Sequence, residues 1–186
     1  MRASPRLDRS TDDRGWFVKT PDAGPPPVTL AAAPAELALA GRLLHDFNTE
    51  YDDPTPGAEP LAHRLAELVA DGGTEVLLVG AGDAGGTDGA GGAAGVAVLR
   101  YRPSLWSVAD ECYLAELYVV PDRRGTGLGR ALLRAAVERA VARGCDVIDL
   151  ATSEDDVAAR HLYEAEGFSR TEGEGGPLTF HYEREL

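Results

Sequence analysis

The sequence predicts an α/β (α+β) domain in which a mixed central sheet carries helices on both faces. Three observations support that expectation. Two helical patterns come first, an apolar hairpin follows, and the chain then alternates strand, helix, strand, helix, strand. Glycines and prolines punctuate the junctions. The 186 residues suffice for one sizeable core and fall short of two, so residues 28–186 read as a single domain. Residues 1–27, of mixed charge and closing on Pro25-Pro26-Pro27, read as a mobile tail feeding a stiff linker.

Val28 to Ala32 reads as a short strand. Pro34 suits a first helical turn and opens a helix to about Phe47. Tyr51 to Gly57 is a rigid, acidic turn. A second helix runs from about Pro60 to Ala70, with Leu61, Leu65 and Leu68 on one face, and Asp71-Gly72-Gly73 ends it. Glu75 to Gly80 and Ala94 to Tyr101 are the hairpin strands. The glycine-rich loop between them has neither a lysine nor a following helix and is no phosphate site. Cys112 to Val120 is the strongest strand. After the turn at Pro121–Arg124, a helix runs from Thr126 to Arg143 and stops at Gly144. Val147 to Ala151 is a strand, and Ser153 caps a helix to Glu166, with Asp156 completing a capping box. Phe168–Arg170 and Leu178–Glu183 finish as strands.

Composition narrows the function. The formal net charge of −13 opposes binding to nucleic acid phosphates and to anionic membranes, and attracts a cationic substrate over long range. No run of about 18 apolar residues is present and the first residues resemble no secretory signal, so the expectation is a cytoplasmic protein. Cys112 and Cys145 lie far apart, and the four histidines are scattered. Neither set has metal spacing, so free thiols and no metal are expected.

The chemistry concentrates in Arg124-Gly125-Thr126-Gly127-Leu128-Gly129-Arg130, between a strand and a helix. A helix start offers unpaired N–H groups and a positive dipole end; glycines let that backbone approach a phosphate. Arg124 and Arg130 add charged donors. The pattern departs from a dinucleotide fingerprint, because Arg130 stands where the third glycine would be.

These residues resemble a known family. Leu117-Tyr118-Val119-Val120-Pro121 followed by R-x-x-G-x-G is similar to the acyl-CoA-binding motif of the GNAT superfamily. Ala159-Arg160-His161-Leu162-Tyr163, then Gly167-Phe168, is similar to the same family's A-x-x-L-Y-x-x-x-G-F signature. Together they cover about the last third of the chain. The resemblance implies a mostly antiparallel sheet with a splay between the two central strands, Cys112–Val120 and Val147–Ala151. It further implies acetyl-CoA as co-substrate, with its pantetheine arm along Leu117, Tyr118 and Val119 and its pyrophosphate on Gly125 to Arg130. Tyr163 then faces the thioester sulfur, and its hydroxyl, of pKa about 10, can protonate a departing thiolate of about 8.5. Many members carry Asn seven residues before that tyrosine; here Asp156 stands there, either altering the pantetheine contact or serving as a helix-start acid.

An amine nucleophile must shed a proton before attack. Glu116 is the lone acid in the apolar run Tyr113–Val120, and is either that base, directly or through a water, or an edge residue facing water. The place where some relatives carry a second glutamate falls near Ala151, which cannot serve. Glu50, Asp52 and Asp53 cluster beside the expected acceptor cleft and suit a cationic amine. Trp106 is a candidate wall of that cleft. The reading is an N-acetyltransferase acting on a primary amine of a small molecule or peptide. Its alternative is a catalytically silent CoA-binding sensor or partner-binding module. A homodimer is left open.

Overall fold

The computed structural model describes residues 26–80, 92–173 and 175–184. Most of the expected tail and of the glycine-rich loop lies outside them. Ten elements follow in order: β1 (Val28–Ala31), α1 (Pro34–Glu50), α2 (Ala58–Ala70), β2 (Thr74–Val79), β3 (Gly95–Pro103), β4 (Asp110–Val119), a 3-10 turn (Pro121–Arg123), α3 (Leu128–Arg143), β5 (Cys145–Asp149) and α4 (Val157–Ala165). The strands form one sheet in the order β1-β2-β3-β4-β5. The first four are antiparallel to their neighbours, and β5 runs parallel to β4.

Strand periodicity sorts the apolar residues onto two faces. Leu77, Val79, Ala97 and Leu99 point to α3, where Leu132, Leu133 and Ala136 complete one core. Val76, Leu78, Val96 and Val98 point the other way, to Leu37, Ala40, Leu43 and Leu44 of α1. The helices therefore cover both faces, as the element order predicts.

One irregularity lies in this pattern. Across β3 and β4, Val98 pairs with Glu116 but Leu99 pairs with Leu114, so Ala115 is an extra residue. A bulge of this kind inverts the alternation beyond it. Before it, Cys112 and Leu114 join the α3-side core. After it, Leu117 and Val119 take that side, and Tyr118 enters the core under α1. Glu116, opposite Val98, shares the α1 side.

Two packing ties orient the helices around this sheet. At Gly41 a Cβ would lie 2.5 Å from the Ala58 carbonyl and 2.8 Å from the Ala62 nitrogen, so glycine permits the close α1–α2 crossing. On the other face, Arg139 of α3 holds Glu75 of β2 through two hydrogen bonds, at 2.6 and 2.8 Å, and Tyr101 donates to the same carboxylate at 3.0 Å. The Arg143 guanidinium lies 4.1 Å from the Tyr101 ring centroid.

Two expectations need correction. Phe168–Arg170 and Leu178–Glu183 are not regular strands; a single bridge, Thr171 to Leu178, stands in their place. The intervening Glu172–Gly176 run is glycine-rich, and Phe180 and Tyr182 are exposed rather than packed on a partner. Nor does Ser153 cap α4. Asp156 is the N-cap, and its carboxylate accepts the Ala159 N–H at 2.9 Å.

Gly41→Val should lower stability by about 1–3 kcal/mol, because the new branch meets backbone rather than a yielding side chain. A urea midpoint equal to that of the parent would mean that α1 and α2 separate without cost.

Candidate functional site

β4 and β5 pair over a short register, from Asp110 opposite Cys145 to Tyr113 opposite Asp149. β5 then ends while β4 runs on to Val119. The unladdered stretch opens a cavity of about 710 Å³, with Leu114 to Val119 on one wall and Ala151, Leu162 and Tyr163 on the other. This is the expected splay between β4 and β5. Here β5 is the last strand of the described sheet and not a central one, because the two strands expected after it are absent from the described residues.

The glycine turn expected to cradle a phosphate also lines the cavity. Gly125 and Gly127 have φ of +72° and +93°, and a Cβ at either would meet no atom within 4 Å. The first helical bond runs from the Ala131 N–H to the Gly127 carbonyl; the N–H groups from Gly125 to Arg130 donate to no described residue. Unpaired donors, a helix dipole and open space in front of two glycines fit a pyrophosphate. The remaining loop residues have other tasks. Thr126 donates its hydroxyl to the Arg123 carbonyl at 2.6 Å, shaping the turn. Leu128 is buried in the α3-side core, and a Cβ at Gly129 would touch Leu162 at 3.5 Å.

Both arginines of the motif are engaged within the chain. Arg124 donates two hydrogen bonds to Glu50, each at 2.7 Å, and a third to the Val119 carbonyl at 2.9 Å. Tyr118 donates its hydroxyl to Glu50 at 3.2 Å. The arginine holds the Glu50 carboxyl below its ordinary range. Arg130 meets Glu166 at 3.0 Å, alongside Arg134 at 2.7 Å, which ties the end of α4 to α3. Glu50 is therefore not a free carboxylate waiting for a cation, as its place in the acidic turn suggests.

Glu116 and Tyr163 both line the cavity. Glu116 makes no hydrogen bond with a described residue, and desolvation pushes its carboxyl above the ordinary value. Burial likewise raises the Tyr163 phenol to about 12, with a smaller contribution from the Asp156 charge. The phenol thus stays protonated at neutral pH, while the carboxyl gains proton affinity.

The predicted acceptor residues separate. Asp53 lines the cavity, whereas Asp52 sits at φ +57° on the exposed turn and does not. Trp106 is 89% exposed on the β3–β4 turn and lies outside the cavity. Instead the structure supplies Phe47 and Tyr51, one helical turn apart. Phe47 stacks on Tyr118 at 5.1 Å, and Tyr51 meets Phe47 edge-on at 5.4 Å. Their i, i+4 spacing at the end of α1 was a legible signal that the acidic run beside it obscured. Among the described residues, no group of three or more His, Cys, Asp or Glu side chains forms a metal site. No described helix is long and apolar enough to cross a membrane.

Comparison with known proteins agrees with this geometry. The model of the acetyltransferase (GNAT) family matches residues 42–168. The crystal structure of a provisionally assigned acetyltransferase from Arthrobacter sp. FB24 superposes with a TM-score of 0.76 at 39% identity, covering 90% of this chain and 100% of that one. A mycothiol acetyltransferase from Thermobispora bispora is 47% identical over 60 residues, 31% of this chain and 20% of the relative. A thialysine N-epsilon-acetyltransferase from Bos taurus is 33% identical over 82 residues, 44% of this chain and 48% of the relative. The chain thus spans half or less of the length of these two relatives.

A raised carboxyl has a definite sign in stability. The folded state holds the Glu116 proton more tightly than the unfolded one, so this group's contribution falls as pH rises from the ordinary glutamate value to the raised one. Glu116→Gln removes that loss, and its stability advantage over the parent should be larger at pH 8 than at pH 4. An equal difference at both pH values, by urea denaturation, would mean that Glu116 is not desolvated.

Proposed function

The chain belongs to the acetyltransferase (GNAT) family, and from that premise we propose that it is an acetyl-CoA-dependent N-acetyltransferase acting on a primary amine. One observation carries the reading: an unpaired, desolvated glutamate, a protonated tyrosine and a set of unpaired helix-start N–H groups share one cavity. The acetyltransferase names of the relatives support it, one of them an N-epsilon-acetyltransferase. The two free cysteines agree with a reducing cytoplasmic setting.

The N–H groups of Gly125 to Arg130 hold the pyrophosphate, and the main chain of Leu117, Tyr118 and Val119 pairs with the pantetheine arm as an added strand would. Glu116 takes a proton from the substrate ammonium, directly or through a water. The free amine then attacks the thioester carbonyl carbon, and the carbon–sulfur bond breaks as the amide forms. Tyr163 donates a proton to the leaving thiolate and regains one as the attacking nitrogen gives up its second. Burial raises the carboxyl toward working pH, which strengthens the base. The phenol, protonated at neutral pH in any case, becomes a weaker acid than in water and gives up its proton only as the attacking nitrogen replaces it.

Calorimetric titration with acetyl-CoA, followed by amine-dependent thiol release, tests the reading. Binding without release from any amine would favour the silent CoA-binding module. Tyr163→Phe should lower kcat by about 10²-fold or more with acetyl-CoA affinity unchanged; unaltered turnover removes Tyr163 from the mechanism. Gly127→Val should abolish binding, through the strained φ of +93° and the loss of space before the cradle. Glu50→Gln should tighten acetyl-CoA binding, by up to about fivefold, since it frees the Arg124 guanidinium from an exposed ion pair. Weaker binding would show instead that the pair holds the cradle in shape.

A further inference from the structure

We propose that the acceptor is a primary monoamine carried on an aromatic or apolar body, seated on the α1 side of β4 against Phe47 and Tyr51 with its ammonium at Glu116. The proposal rests on the N-acetyltransferase reading and narrows it to one substrate class. The two faces of the sheet divide the work. The cradle opens α3, and Tyr163 packs against the α3-side core, so the acyl donor's groups belong to that side. The bulge at Ala115 turns Glu116 to the other side, where α1 brings Phe47 and Tyr51. The amine therefore approaches from the α1 side and reaches the thioester through the gap between β4 and β5.

Charge then decides what kind of amine fits. A net charge of −13 would draw in a polyamine or an aminoglycoside. The cavity itself does not share that excess. Its lining holds Asp53, Glu116 and Asp156 against Arg123, Arg124 and Arg130. Asp156 is committed to capping α4, and Glu50, the acid that would have deepened the negative patch, is held by Arg124 and Tyr118. Among the described lining residues Glu116 is left as the one desolvated carboxylate without a described partner, and Asp53 stands on an exposed turn. A second ammonium on the same ligand would find no further desolvated carboxylate among the described lining residues and gain no buried counter-charge.

The walls favour an apolar body. Phe47 and Tyr118 are already stacked and Tyr51 stands edge-on to Phe47, an arrangement that another ring can extend. Ala115, the small residue at the bulge, lines the same cavity. Tyr51 is 54% exposed, so its ring has surface to cover.

The test compares 2-phenylethylamine with putrescine and spermidine, using the full chain at saturating acetyl-CoA and following thiol release. The expected result is a kcat/KM for phenylethylamine at least about tenfold above either polyamine. Tyr51→Ala and Phe47→Leu should each raise the phenylethylamine KM, by about tenfold for Tyr51→Ala, with kcat and acetyl-CoA affinity retained. Polyamine preference, or an aryl preference unmoved by both variants, overturns the substrate class while leaving the acetyltransferase reading intact. Saturable acetyl-CoA binding without turnover of any of the three amines or of a lysine-containing peptide overturns both together. Turnover of the peptide alone overturns only the class proposed here.

Discussion

Ala115 has no partner across the β3–β4 ladder, and the residues after it face the opposite way from those before it. The rest of the site depends on this single extra residue. An uninterrupted strand would have placed Glu116 on the α3 side with Cys112 and Leu114, and Tyr118 with it. Because the bulge shifts parity, Leu117 and Val119 replace them against α3, while Glu116 and Tyr118 turn toward α1. The same strand can then offer main chain to one ligand and a carboxylate to another. The early end of β5 finishes the arrangement, since a longer β5 would close the cavity with a ladder.

Two kinds of electrostatics operate around that strand. Near the surface, carboxylates and guanidinium groups neutralise one another: Glu50 with Arg124, Glu166 with Arg130 and Arg134, Glu75 with Arg139. Most of these pairs are at least partly exposed, so each adds little stability and chiefly fixes geometry. Inside the cavity, desolvation is the leading cause, and it acts on an acid and a phenol in the same direction. A carboxyl with raised proton affinity makes a stronger base, and a phenol with raised pKa remains a donor. One physical cause thus raises the proton affinity of the carboxylate and keeps the phenol protonated while weakening it as an acid.

Much of this was legible along the chain. Glycines, prolines and apolar periodicity located all five strands of the sheet and the four helices within a few residues, because those signals are local. Two further strands expected at the C-terminus did not form: alternation in Leu178–Glu183 is a necessary signal, but it does not by itself pair a strand. Among the described residues the Thr171–Leu178 bridge is the only β pairing that joins the two segments. The glycine spacing at 125–129 pointed to a cradle for the same local reason, since positive φ at Gly125 and Gly127 is a property of the turn itself.

By itself the sequence determined the order of elements and the glycine turn at a helix start, and it singled out Glu116 and Tyr163, which the fold then brings to one cavity. Tertiary structure alone decided which charges were free. Glu50 and Arg124 lie 74 residues apart, and no spacing rule connects them, yet their pairing withdraws both from the roles their neighbourhoods suggest. Likewise Trp106 is left exposed outside the cavity, and Phe47 and Tyr51 take its wall, because the fold, rather than proximity in sequence, chooses which side chains share a cavity. Ion pairs and cavity walls join residues from distant elements, and their partners exist only once the sheet and its helices have closed around them.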